Sequence, residues 1–212
     1  MFRQFRKIER GEFFVVSADC SQGGLDYNAC IFMSKTNLDV PLLYHARGTA
    51  NSMTSRVHLI LEWIYDRTGI KPVVAYETAM GGSSEMERLH LLNRMGKYVI
   101  FEMPTIGKVE SGNTGRMGYI TSSATRPILL GDWKTAIDGK LVRLYDERTV
   151  KEHYDFIIND RTGKPEAGRN KHDDLVMAHA IAWQLYQQCQ PTTAIDYSQI
   201  PTYKPIDSKI GI

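Results

Sequence analysis

Two short apolar runs, each closed by a carboxylate, set the plan of this chain. Phe13 to Ala18 (FFVVSA) is apolar on both alternating faces, as a strand covered on both sides must be, and it stops at Asp19. Val73 to Tyr76 (VVAY) has the same character and stops at Glu77. Between them, after a break at Gly23-Gly24, Asn28 to Ser34 (NACIFMS) and Pro41 to Ala46 (PLLYHA) predict two more strands. The short link makes the first pair an antiparallel hairpin. Ser55 to Arg67 carries Val57, Ile60, Leu61 and Ile64 at helical spacing, with Gly69 just beyond the end.

This order is two or three antiparallel strands, a crossover helix, then a strand parallel to the first. A crossover lays its helix on one face of the sheet. With the first and fourth strands as neighbours, Asp19 and Glu77 end at one edge, and ligand sites in such sheets lie beyond the carboxyl ends of strands. Gly81-Gly82-Ser83-Ser84 leads into a predicted helix from Glu85 to Met95, and Tyr98 to Phe101 reads as another strand. Helices are expected at Arg126 to Ile137 and Glu147 to Tyr154, extended chain at Leu141 to Leu144, and a short strand at Phe156 to Ile158. The last helix, Asp173 to Gln188, contains LVMAHAIAW and is apolar almost all round, so it packs on more than one side.

A third acidic element, His172-Asp173-Asp174, opens that helix. Negative charge is favoured there, and either aspartate could cap the helix. Three carboxylates meeting at one spot repel one another unless a cation neutralises them. All-oxygen donors suit Mg²⁺ or Mn²⁺ better than Zn²⁺. Two such ions about 4 Å apart can activate a water and stabilise the leaving oxygen of a phosphodiester. Singly, each acid has a plainer reading: Asp19 and Glu77 as turn residues after strands, Asp173-Asp174 as a helix cap. Only the combination in this order points to nuclease chemistry.

Composition narrows the alternatives. With 212 residues, 42% hydrophobic and 24% charged, the chain is neither disordered nor collagen-like. We expect one domain at residues 12–190, a basic arm or linker remnant at 1–11, and an extended tail at 191–212. Arg3, Arg6, Lys7 and Arg10 give the arm its charge and suggest a solvated segment. The net charge of +2 neither announces nor forbids a nucleic-acid partner. Three cysteines without CxxC spacing argue against a disulfide scaffold or a zinc ribbon. No apolar run approaches the roughly 18 residues of a membrane span, no signal peptide is visible, and an intracellular protein is expected. There is no Walker A phosphate loop. His179 reads as a hydrogen-bonded core histidine, and Tyr27, Trp63, Trp133 and Trp183 as core or partly buried aromatics. Residues 104–124, rich in Gly, Ser and Thr, read as a long functional loop.

These same residues resemble the nuclease domain of tailed-phage terminase large subunits. VVSADCSQGGLDYNACIFM is similar to the family's first motif, a strand ending in a catalytic Asp and followed by a Gly-rich hairpin. VVAYETAMGG is similar to the second, a strand ending in a catalytic Glu, and EAGRNKHDDLVMAHAIAWQ to the third, in which a His-Asp-Asp run opens a helix. Thr78-Ala79-Met80 stands where many members have asparagines, and Asn170-Lys171 where a glycine is usual. The resemblance spans Phe13 to Gln188. It implies a ribonuclease H-like α/β fold, a mixed sheet flanked by helices. It implies catalytic roles for Asp19, Glu77, Asp173 and Asp174, with Asp19, Glu77 and one or both of Asp173 and Asp174, Asp174 by preference, holding two divalent cations, Mg²⁺ or Mn²⁺. Lys108, Arg116 and Arg126 are expected to help hold DNA.

The implied activity is endonucleolytic cutting of concatemeric double-stranded DNA when genome packaging starts and ends, in the host cytoplasm. In a full-length protein the partners implied are an N-terminal packaging ATPase domain, portal protein and small terminase subunit, with no membrane. The alternatives are a Holliday-junction resolvase or transposase-like nuclease of the same fold, and a non-catalytic DNA- or portal-docking module.

Overall fold

A computed structural model describes residues 1–21, 27–78, 81–103, 115–158, 165–167 and 172–191. The described elements are β1 (Phe2–Gln4), β2 (Phe14–Asp19), β3 (Tyr27–Ser34), β4 (Asp39–Arg47), α1 (Ala50–Thr68), β5 (Val73–Tyr76), α2 (Gly82–Leu92), β6 (Val99–Ile100), β7 (Glu102–Met103), β8 (Arg116–Met117), α3 (Thr125–Asp138), α4 (Glu147–Asp155), β9 (Phe156–Ile158), β10 (Pro165–Ala167) and α5 (Asp174–Gln188). A six-stranded sheet runs β1-β4-β3-β2-β5-β6. Its β1, β4, β3 and β2 pair antiparallel, whereas β2–β5 and β5–β6 are parallel. The mixed sheet expected from the strand order is therefore present.

Both faces are covered, which explains the unbroken apolar runs. Val15, Ile31, Leu43, Val73 and Ala75 pack with α3 and α5, whereas Phe14, Val16, Phe32, Val74 and Tyr76 pack with α1 and α2. On α5 every residue from Leu175 to Trp183 is buried. The small side chains of Ala178 and Ala182 bring that helix close to the sheet, and the buried Ser17 hydroxyl donates to the Ala178 carbonyl. His179 is fully buried, and its Nδ1 meets the Leu175 carbonyl at 2.7 Å. Trp133 and Trp183 are buried, but Trp63 is 40% exposed.

Helix α1 starts earlier than its apolar spacing predicts, because Thr49 caps it through the Ser52 amide at 3.2 Å. The Leu141 to Leu144 stretch forms no named strand; it contributes a single bridge from Arg143 to Asp39.

The basic arm differs more sharply from expectation. It is not a solvated tail, since β1 extends the sheet beside β4. Arg6 forks onto Asp39 at 2.6 and 2.7 Å and onto Glu12 at 2.8 and 2.9 Å. Glu12 and Asp39 are buried, and the Tyr145 hydroxyl donates to the same Asp39 at 2.9 Å. Asp39 lies 33 residues from Arg6, and Glu12, six residues on, falls outside the arm, so the charge pattern of the arm alone reads as solvent-facing. No helix among the described residues is long and apolar enough to cross a membrane.

Candidate metal centre

The strand register builds the site. In the parallel pair Ala18 lies opposite Tyr76, and the Glu77 amide donates to the Ala18 carbonyl at 2.8 Å. Alternation places Asp19 with Val15 and Ser17, and Glu77 with Val73 and Ala75, on the face covered by α5. Both carboxyl groups therefore end at the same edge of the sheet, where the charge of Glu77 acts on Asp19. Asp173 and Asp174 begin α5 above them. Burial, followed by the charges of Glu77, Asp174 and Asp173, holds the Asp19 carboxyl well above the usual carboxylate range. Asp19 thus lies near enough to Glu77, Asp173 and Asp174 for their charges to act on it. Among the described residues, no three His, Cys, Asp or Glu side chains are grouped so as to hold a metal ion.

Each acid has its own support. Glu77 is only 6% exposed, its Oε1 accepts from the Thr121 hydroxyl, and its backbone bridges to Tyr119. The segment at Tyr119 runs alongside the end of β5, with the Tyr119 amide donating to the Tyr76 carbonyl at 2.8 Å. Gly118 permits that approach: it has φ +94°, and a Cβ there would meet the Tyr76 carbonyl oxygen at 2.8 Å.

Asp173 occupies the N-cap position of α5 but makes no side-chain cap bond. Its carboxylate pairs instead with Arg126 at 2.5 Å. Arg126, expected to face DNA, therefore sits within the acid cluster. His172 Nδ1 lies 3.8 Å from Asp174. Arg116 is exposed on β8. Lys108 lies outside the described residues, as do the Gly23-Gly24 turn, Asn170-Lys171 and the tail from residue 192.

Glu152 on α4 belongs to the site without any signal in the motifs. Its Oε2 accepts the Leu175 amide at 2.9 Å, capping α5 from a neighbouring helix. Its Oε1 lies 3.7 Å from His45 Nε2. Burial and the charges of Asp174 and Asp173 raise this carboxyl to about 8, against the Leu175 hydrogen bond and Arg148, which lower it. Burial, reinforced by Arg148, lowers His45 to about 4. Between those values both groups are neutral, so the contact is not an ion pair. We expect Glu152→Ala to cost about 1 kcal/mol of stability, as loss of an N-cap does. Glu152→Gln, which keeps an acceptor oxygen, should cost less. Chemical denaturation of both variants measures the difference.

No protein-family model matches the sequence, and no curated protein matches it at the sequence level. Solved structures do resemble it. The Thermus phage P74-26 large terminase nuclease domain is 17% identical, with 87% of this chain and 84% of that one covered and a TM-score of 0.59. The large terminase nuclease from thermophilic phage G20c with bound magnesium is 18% identical, covering 88% and 85%, with a TM-score of 0.59. The human cytomegalovirus terminase nuclease domain, Mn soaked, is 11% identical, covering 90% and 94%, with a TM-score of 0.56. The likeness is one of fold: this chain has the ribonuclease H-like fold of terminase nuclease domains.

Proposed function

We propose that this domain is a divalent-cation-dependent endonuclease of the terminase kind, cutting concatemeric double-stranded DNA at the start and end of genome packaging. The observation that carries the reading is the strand register, which sets Asp19 beside Glu77 beneath the acidic first turn of α5. The donor set is all oxygen and strongly negative, with Arg126 committed to Asp173. Such a set fits hard divalent cations, Mg²⁺ or Mn²⁺. Among the described residues no three such side chains are grouped so as to hold an ion, so the carboxylates would have to move together for a cation to load.

Asp19, Glu77 and Asp174 would hold the cations, and Glu77 could instead orient the attacking water. When bound, two such cations lower the pKa of water and stabilise the leaving oxygen. Thr121 fixes the rotamer of Glu77 by donating to Oε1. Arg126 pairs with Asp173, and Glu152 anchors the turn that carries both aspartates. Arg116 and Lys108 would contact the DNA backbone. In a full-length protein the domain would work with a packaging ATPase, portal protein and small subunit in the host cytoplasm.

The test is cleavage of supercoiled plasmid, linear duplex and a four-way junction in Mn²⁺, in Mg²⁺ and with chelator. Nicking and linearisation that chelator abolishes, without preference for the junction, is the expected result. Junction preference would indicate a resolvase instead, and no cleavage with either cation a docking module. The rate at fixed, subsaturating Mn²⁺ should also fall as pH drops. Protons compete with the cation for Asp19, whose raised pKa moves that competition well above the usual carboxylate range.

A further inference from the structure

The sheet edge that carries the acids also carries a cation that no carboxylate neutralises among the described residues. Arg47 ends β4 directly opposite Tyr27 on β3 and is exposed. Its guanidinium lies over the Tyr27 ring, 4.9 Å from the centroid. Other arginines near this side of the sheet are committed: Arg3 and Arg148 to Asp146, Arg6 to Glu12 and Asp39, and Arg126 to Asp173.

Tyr27 is held as a platform. It stacks on His45 with ring centroids 4.5 Å apart and meets His172 edge-on at 5.3 Å. Strand alternation puts Tyr27 with Ala29 and Ile31, and His45 and Arg47 with Leu43, on the face shared with Asp19. His172 in turn lies beside Asp174. A continuous line of contacts thus runs from the acid cluster through His172 and Tyr27 to Arg47.

We propose that Arg47, parked on Tyr27, is a phosphate-binding subsite for the DNA strand flanking the cut. This rests on the nuclease reading for its substrate. A strand approaching clustered carboxylates is repelled, so a cation on the flank is needed to seat it. A guanidinium fork matches two phosphate oxygens. An exposed cation–π contact is worth only about 0.5–1 kcal/mol, so the side chain leaves the ring at little cost when a phosphate arrives. The aromatic platform limits its freedom beforehand and keeps it at the rim.

The test is the binding of a short fluorescent DNA duplex, in chelator, across a salt series, with the intact protein and with Arg47→Ala and Arg47→Lys. Losing one phosphate contact should make the slope of log K against log[salt] shallower by about 0.9 in Arg47→Ala. Arg47→Lys should restore most of that slope while binding more weakly than the native protein, because it keeps the charge but not the fork. An unchanged slope and affinity in Arg47→Ala, with an unchanged thermal melt, would overturn the subsite. Plasmid nicking by the native protein is scored separately. Loss of slope without native nicking keeps the subsite and removes the nuclease reading; native nicking with an unchanged slope does the reverse.

Discussion

Asp19→Asn should abolish the proposed metal-dependent cleavage, by roughly 10³-fold or more, and should raise the melting temperature of the metal-free protein. The first effect follows because Asp19 is the acid on which the others converge. An amide keeps the shape but cannot supply the negative charge a divalent cation needs. The second effect follows from linkage. The folded Asp19 carboxyl titrates well above its ordinary value, so the folded state favours the protonated form more than the unfolded state does. Stability from this group is fully present below the unfolded value of about 3.9 and is lost as pH rises through the folded value. At neutral pH this carboxyl therefore weakens the metal-free fold. Asn removes that effect, and each kcal/mol relieved is worth about 2–4 °C for a chain of this size. Saturating Mn²⁺ should stabilise the native protein and reverse the order of the two melts. A fully active Asp19→Asn protein at saturating Mn²⁺ would remove the assignment.

Gly82→Ala should damage the site without touching a carboxylate. A Cβ at Gly82 would fall far inside van der Waals contact of the Glu77 carbonyl oxygen and 2.8 Å from its carbonyl carbon. Both neighbours are backbone, so neither yields as a flexible side chain would. The start of α2 or the end of β5 must shift, and Glu77 moves away from Asp19 and Thr121. We expect a stability loss of about 1–3 kcal/mol and a nicking rate reduced by at least about tenfold. Gly81→Ala is the informative companion. Gly81 has φ +95° and open space around its Cα, so alanine there strains the backbone but displaces nothing. It should lose stability while retaining more activity than Gly82→Ala. Equal activity of native and Gly82→Ala proteins would show that Glu77 tolerates displacement.

What could be read before the structure was local or followed from chain order. Strands β2 and β5 announce themselves by apolar runs, and their shared edge follows from the crossover that α1 makes between them. The burial of α5 on all sides follows from its composition. Residues that act across long separations were silent. Thr121 reaches Glu77 from a segment with no periodicity, and Glu152 reaches Leu175 from the next helix, where it reads as an ordinary surface acid. Arg126 was legible as a cation but not as the partner of Asp173. Tyr27 read as a core or partly buried aromatic and is partly buried, but its contacts with His45, His172 and Arg47 at the rim were not legible. Strand β1 is three residues long, too short for alternation to register, and Arg6 finds its acids only once the sheet has formed.

A crystal soaked in Mn²⁺, with anomalous scattering measured at the manganese edge, addresses the convergence of the acids directly. The account predicts strong peaks bonded to Asp19, with Glu77 and Asp174 completing the protein ligands. Peaks confined to other parts of the surface, or none at Asp19 under saturating Mn²⁺, would contradict it.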